Sequence, residues 1–162
     1  MSDMSRAWVF PIIIAAVAAV LVAVVGATIT DIGPWYHGLA QPRWAPPDMA
    51  YGVAWTVIYA FTALGAVTGW LAMPWREREW LIGVFALNGF LNILWSLLFF
   101  RLHRPDWAVI EVIGLWLSVA ALIVMVWRRS MIGAVLLLPY LLWVTYAGYL
   151  NMTIVQLNGP FS

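Results

Sequence analysis

Residues 7–30 read AWVFPIIIAAVAAVLVAVVGATIT, 24 residues without a charged side chain. A helix needs roughly 20 apolar residues to cross a hydrocarbon core of about 30 Å, so this run crosses once. It follows Arg6, as the apolar stretch of a secretory leader follows a basic residue, but it exceeds the 7–15 residues of such stretches, and no small-x-small cleavage site follows. Pro11 falls in the first turn of the span, where its missing N–H is not needed.

The same division at charged residues organises the rest. Residues 49–75, 80–100 and 130–162 carry no charge, and 107–127 carry only Glu111. Each is long enough to cross once and none to cross twice. In lipid every backbone group must find its partner within the protein, which requires helices or a closed barrel. These runs are continuously apolar and lack the alternation of barrel strands. The sequence therefore predicts an all-α integral membrane protein, a single five-transmembrane-helix bundle over 1–162. The spans fall at about 7–30, 50–74, 80–100, 106–127 and 131–155, with a long folded loop, 31–49, between helices 1 and 2. Composition agrees: 65% of residues are hydrophobic and 9% charged, against about 25% charged in soluble domains. A net charge of +1 with no charged tail argues against nucleic acid as a partner. Zero cysteines exclude disulfides, thiol catalysis and cysteine-based metal centres.

The loop 31–49 holds four of the nine prolines, together with Trp35, Tyr36, His37 and Trp44. Proline and glycine set turns there, and the aromatics call for burial, so the loop is expected to fold back over the mouth of the bundle. Trp8, Trp75, Trp80, Trp107 and Trp127 stand at span ends, where headgroups anchor indoles. Arg6, Arg76, Arg78, Arg128 and Arg129 fall on the N-terminal side, against Arg43, Arg101 and Arg104 on the other. The positive-inside rule then puts the N-terminus in the cytoplasm.

Several spans carry polar and aromatic stripes at helical spacing. Asn88, Asn92, Trp95 and Phe99 share one face, as do Tyr51, Trp55, Tyr59 and Thr62, and Pro139, Trp143, Ala147 and Leu150. The asparagines serve either as ligand contacts or as interhelical glue. Trp95 and Trp143 lie too deep for headgroup anchors, and a buried indole N–H needs a partner, which points to a flat aromatic pocket or to bulky packing. Gly65 and Gly69, like the stripe Ala15, Ala19, Ala23 and Ala27, read as close helix packing. Glu111, about one turn inside its span, is a proton site, a partner for Arg104 or a side chain reaching the interface. Asp31 and Asp48 read as helix caps or loop charges, with Asp48 placed to cap the second span. No HExxH, GxSxG, phosphate loop or carboxylate dyad occurs. No catalytic residue and no metal ligand is therefore assigned, and so few ionisable residues in the spans argue against a channel or pump.

The segment WAPPDMAYGVAWTVIY, residues 44–59, is preceded by Trp35-Tyr36, Leu39 and Pro42. Further along come Asn92-Ile93-Leu94-Trp95, Phe99-Phe100, Pro139-Tyr140-Leu141, Trp143 and Leu150-Asn151. Over nearly its whole length the chain resembles the TspO/translocator protein family, also called tryptophan-rich sensory proteins or peripheral-type benzodiazepine receptors. The resemblance implies a homodimer in the lipid bilayer, here a bacterial cell membrane, with a sensory, stress-regulatory or transport role. It implies tetrapyrrole ligands (protoporphyrin IX or haem), with no obligatory cofactor, and also sterols and synthetic isoquinoline or benzodiazepine ligands. The pocket it implies lies under loop 31–49 and comprises Tyr36, Trp44, Trp55, Asn92, Trp95, Trp143 and Ala147. Tyr59 and Leu150 join it on the same helical stripes. Arg43 is the loop cation placed for a porphyrin propionate, and His37 is the loop's one candidate axial ligand for haem. No basic residue follows Tyr149, so the vertebrate sterol motif is incomplete. The alternative function is an enzyme catalysing light- or oxygen-dependent porphyrin degradation, for which the chain offers no acid–base pair. A third is a regulatory partner of other membrane proteins.

Overall fold

A computed structural model describes residues 3–161, with side chains from Val9 to Phe161. Arg6 in the orientation count and Trp8 among the headgroup anchors lie outside the described side chains. The elements are α1 (Asp3–Ile29), a short α2 (Pro34–Gly38), α3 (Asp48–Ala72), α4 (Trp75–Ser96), α5 (Pro105–Trp127) and α6 (Met131–Asn158). A π-helical turn, Leu97–Arg101, continues α4. Five of these helices are long and apolar enough to cross a membrane, and the protein is a multi-pass integral membrane protein.

Prolines open the helices. Pro34 and Pro105 sit in first turns, and Pro47 and Pro74 at cap positions; proline's fixed φ suits the first turn and its missing N–H is not needed there. Ser130 caps α6 by accepting from Gly133 N at 3.0 Å. Two sequence expectations change. Because α1 begins at Asp3, Pro11 lies inside the helix rather than in its first turn, a position tolerated in spanning helices when nearby groups take up the freed carbonyl. Asp48 is the first residue of α3, with Pro47 at the cap, and its carboxylate turns instead to His37 Nε2 at 3.2 Å.

The helices form a ring in the order α1, α3, α6, α5, α4, with α1 meeting α4 only slightly. The core stacks in three layers. Nearest the loop lie Tyr36, Phe99, Phe100, Ala108, Leu150 and Ile154. At mid-depth lie Ile58, Val112, Leu115, Val119, Tyr140 and Val144, and furthest from the loop Met73, Leu81, Leu122, Val126, Ala134 and Leu137. The glycine pair of α3 packs within the chain: Gly65 faces the Gly133 carbonyl of α6 and Gly69 faces Val126 of α5. Trp75, Trp80, Trp107 and Trp127, at helix ends, are each more than half exposed, as headgroup anchors should be.

The short connections are also fastened by charge. Arg129 pairs with Glu77, its Nε donating to Oε2 at 3.0 Å. Arg101 Nη2 donates to Thr28 O at 2.6 Å, putting a cation at the C-terminus of α1, where the helix dipole favours it. Arg104 turns to Asp106, its Nε donating to Oδ1 at 2.8 Å, and lies over the Trp107 ring at 4.4 Å. It does not pair with Glu111, whose two carboxyl oxygens are buried without a partner; Asp106, two residues away and at the start of α5, captures the guanidinium first.

Candidate ligand-binding site

The loop covers the bundle because its aromatics bury themselves. Trp35, Leu39 and Ala45 pack on the layer formed by Phe99, Phe100 and Leu150. Tyr36, from α2, is 3% exposed, and its hydroxyl is 2.7 Å from that of Tyr51 on α3. Burial pushes the Tyr36 phenol above its ordinary range, so it stays a neutral hydrogen-bonding group. The π-helical turn matters here. One extra residue in the turn lets the consecutive Phe99 and Phe100 both face inward, with centroids 4.7 Å apart and both side chains buried. Such turns recur at functional sites.

Polar contacts hold the loop to α6. Ala40 N donates to Asn158 Oδ1 at 2.7 Å, and Asn158 Nδ2 donates back to Ala40 O at 2.9 Å. Tyr146 Oη donates to Trp44 O at 2.9 Å, and the Trp44 ring stacks on Tyr149 at 5.2 Å. The Asn158 clasp contributes about 1–3 kcal/mol if each of its two bonds is worth 0.5–1.5. Asn158→Ala should therefore speed backbone amide exchange across residues 38–45 roughly tenfold while leaving the thermal midpoint within a few degrees. Exchange unchanged in that segment would mean that its aromatics alone hold the loop.

Beneath the loop, aromatic side chains leave a space of about 20 Å³. Of the ten residues expected at the site, Tyr36, Trp95, Ala147 and Leu150 line it, together with Tyr51, Phe99, Phe100, Asn151 and Ile154. Trp143 adjoins through Tyr51, with centroids 6.0 Å apart, and meets Trp55 edge-on at 6.3 Å. Trp55 stacks on Tyr59 at 5.3 Å. Tyr59 and Asn92 sit deeper and are engaged with each other: Tyr59 Oη donates to Asn92 Oδ1 at 3.1 Å, and Asn92 Nδ2 donates to Tyr140 Oη at 3.2 Å. Asn88 likewise donates to Ser118 Oγ at 2.9 Å. Both asparagines thus bond between helices. The Trp95 indole donates to Asn151 Oδ1 at 3.2 Å, and Asn151 donates to Pro105 O at 2.9 Å.

Trp44 and Arg43 stand apart from this cluster. Trp44 is 41% exposed against the outer side of α6. Arg43 is exposed and forms no ion pair among the described residues. His37, half exposed and beside Asp48, belongs to the outer surface of the loop. Tyr146, Asn151 and Asn158 are not among the site residues the sequence predicts. Asn151 was adjacent to a named stripe, whereas nothing local in the sequence links Asn158 to Ala40. Among the described residues no group of histidine, aspartate and glutamate side chains could hold a metal ion.

Five spanning helices, a fastened aromatic loop and a floor of tyrosine and tryptophan define a tryptophan-rich membrane protein with its candidate site at one mouth of the bundle. The TspO/MBR family model matches residues 7–157. Protein CrtK of Rhodobacter capsulatus is 37% identical over 147 residues, covering 88% of this chain and 91% of that protein. The tryptophan-rich protein TspO of Chlorobaculum tepidum is 37% identical over 129 residues, 76% of this chain and 80% of the relative. The translocator protein of Bos taurus is 32% identical over 127 residues, 76% of this chain and 75% of the relative. The chain belongs to the TspO/MBR family. Such family names are those of receptor- or transport-like membrane proteins.

Proposed function

We propose that the chain is a tetrapyrrole receptor or carrier that takes protoporphyrin IX or haem under loop 31–49, in a bacterial cell membrane with its N-terminus cytoplasmic. The observation that carries this reading is a loop held by hydrogen bonds over Tyr51 and Trp95, with Trp143 and Trp55 adjoining them as an aromatic floor. Flat apolar rings stack on such surfaces. A ligand pocket is usually about 300–1,000 Å³, so a space of about 20 Å³ requires the loop to lift and Tyr36 to leave Tyr51. Arg43, exposed at the rim, is then free to meet a propionate. Sterol, isoquinoline and benzodiazepine ligands would use the same apolar floor without it. An axial role for His37 towards haem would require its separation from Asp48.

Tryptophan-quenching titration with protoporphyrin IX tests the reading, and absence of saturable quenching sinks it. The same incubation, followed in light and dark by absorbance and mass spectrometry, tests porphyrin degradation. Arg43→Gln should weaken protoporphyrin IX about tenfold, the equivalent of about 1.4 kcal/mol and the low end of a charge-assisted hydrogen bond near water. A neutral isoquinoline should bind as before. Equal losses for both ligands would make Arg43 a support of the loop's shape.

A further inference from the structure

Among the described residues only His103 has a positive φ, 53°. It follows the π-helical turn, where the Leu102 N–H donates to Leu97 O and the Arg104 N–H to Leu98 O, each at 2.9 Å. Helix ends that turn through a left-handed residue usually place glycine there, because a Cβ is strained in that conformation. Histidine tolerates it better than most side chains, but the strain still has to be offset elsewhere. Such outliers cluster at clamps and switch regions.

The contacts of the ring supply a reason for a side chain at this position. The His103 imidazole stacks on the Trp35 indole, with centroids 4.1 Å apart and planes 15° apart. Trp35 also meets Phe99 edge-on, at 5.9 Å and 79°. Phe99 belongs to the π-helical turn and is buried, whereas His103, just beyond the turn, is exposed. One short stretch of chain thus grips the indole with two aromatic rings. Trp35 and Tyr36 are consecutive residues of α2, a helix of five residues, so neither moves far without the other. Holding Trp35 therefore keeps the Tyr36 hydroxyl against that of Tyr51. The Asn158 clasp at Ala40 and the Tyr149 stack at Trp44 hold the far end of the loop. The grip on Trp35 holds the end nearer α1.

We propose that His103 is the latch of loop 31–49: its ring clamps Trp35, and release of that clamp controls when Tyr36 leaves Tyr51 and the space beneath the loop opens. The control of ligand entry rests on the proposed binding under the loop; the latch itself is read without ligand.

Amide exchange of the full chain in nanodiscs, at one pH and without ligand, tests the latch. The amides to follow are those of His37 and Leu39, which donate to Gly33 O and Tyr36 O. His103→Gly should speed their exchange about fivefold, through loss of one aromatic stack. Its thermal midpoint should stay the same or rise, because glycine adopts the left-handed backbone without strain. His103→Asn, which also visits that backbone but has no ring, should match His103→Gly. His103→Phe, which keeps a ring, should exchange like the wild type. Stopped-flow tryptophan quenching should show protoporphyrin IX entering His103→Gly about fivefold faster than the wild type, for the same lost stack. Unchanged exchange in His103→Gly, or exchange in His103→Phe as fast as in His103→Gly, overturns the latch. Faster exchange with an unchanged association rate overturns its control of entry. Faster exchange with no saturable porphyrin quenching in any variant, wild type included, upholds the latch and sinks the tetrapyrrole reading instead.

Discussion

Gly65→Leu should destabilise the bundle severely. A Cβ at this position would lie 3.0 Å from the Gly133 carbonyl oxygen and 3.2 Å from the Leu137 side chain. The oxygen belongs to the backbone of α6 and cannot rotate away, so the rest of a leucine can be placed only by pushing α3 off α6. Overpacking costs about 1–3 kcal/mol where side chains can adjust, and a backbone obstacle puts the expectation at about 3 kcal/mol or more. Gly65→Ala adds only the Cβ and gains about 1 kcal/mol of helix propensity, so it should be nearly neutral to mildly destabilising. Gly83 on α4 is the control, because nothing lies within 4 Å of its would-be Cβ. Thermal denaturation in detergent, followed by tryptophan fluorescence, should show Gly65→Leu far below Gly83→Leu. Equal midpoints would mean that the close approach of α3 and α6 is dispensable.

What the sequence disclosed and what it withheld divide along physical lines. Lipid forbids unpaired backbone, so the uncharged runs could only be helices, and the order of five spans followed. The glycines of α3 were legible for a related reason, since small residues permit backbones to approach. What that rule could not tell is which helices the small residues face: Ala15 and Ala19 of α1 line the groove between α1, α3 and α4. Regular 3.6-residue periodicity put Trp95 and Phe99 on one stripe but had no means of bringing Phe100 in beside them, which takes the π-helical turn. An indole deep in a span is out of place as an anchor, which marks Trp95 and Trp143 in the sequence, and both stand near the space under the loop. The loop's outer residues were harder. Whether Trp44 faces down or lies along α6 depends on Tyr146 and Tyr149, about a hundred residues further on. Glu111 illustrates the same limit, because its nearest cation in sequence, Arg104, is taken by Asp106.

Trp143→Ala is the variant that should most weaken ligand binding under the loop. The Trp143 ring contacts Tyr51 at 6.0 Å, Trp55 at 6.3 Å and Tyr146 at 5.7 Å. It therefore joins the α3 aromatics to those of α6 and forms part of the floor on which a flat ligand would lie. Truncating a fully buried tryptophan costs about 3–5 kcal/mol. Trp143 is only partly buried, so the total should be smaller and should divide between stability and affinity. An aromatic pair adds about 0.5–1.5 kcal/mol beyond its buried area, and losing stacking plus apolar contact with a porphyrin should cost about 2 kcal/mol, roughly a 30-fold rise in Kd. Trp143→Phe keeps a ring facing Tyr51 and should lose only a few-fold. Unlike Arg43→Gln, Trp143→Ala should weaken a neutral isoquinoline and protoporphyrin IX together, because stacking does not depend on a carboxylate. The two variants thus separate the floor of the site from its rim. A Trp143→Ala protein with a lowered thermal midpoint but an unchanged Kd for both ligands would make Trp143 a brace between α3 and α6, and would move the ligand towards Tyr36 and Trp95.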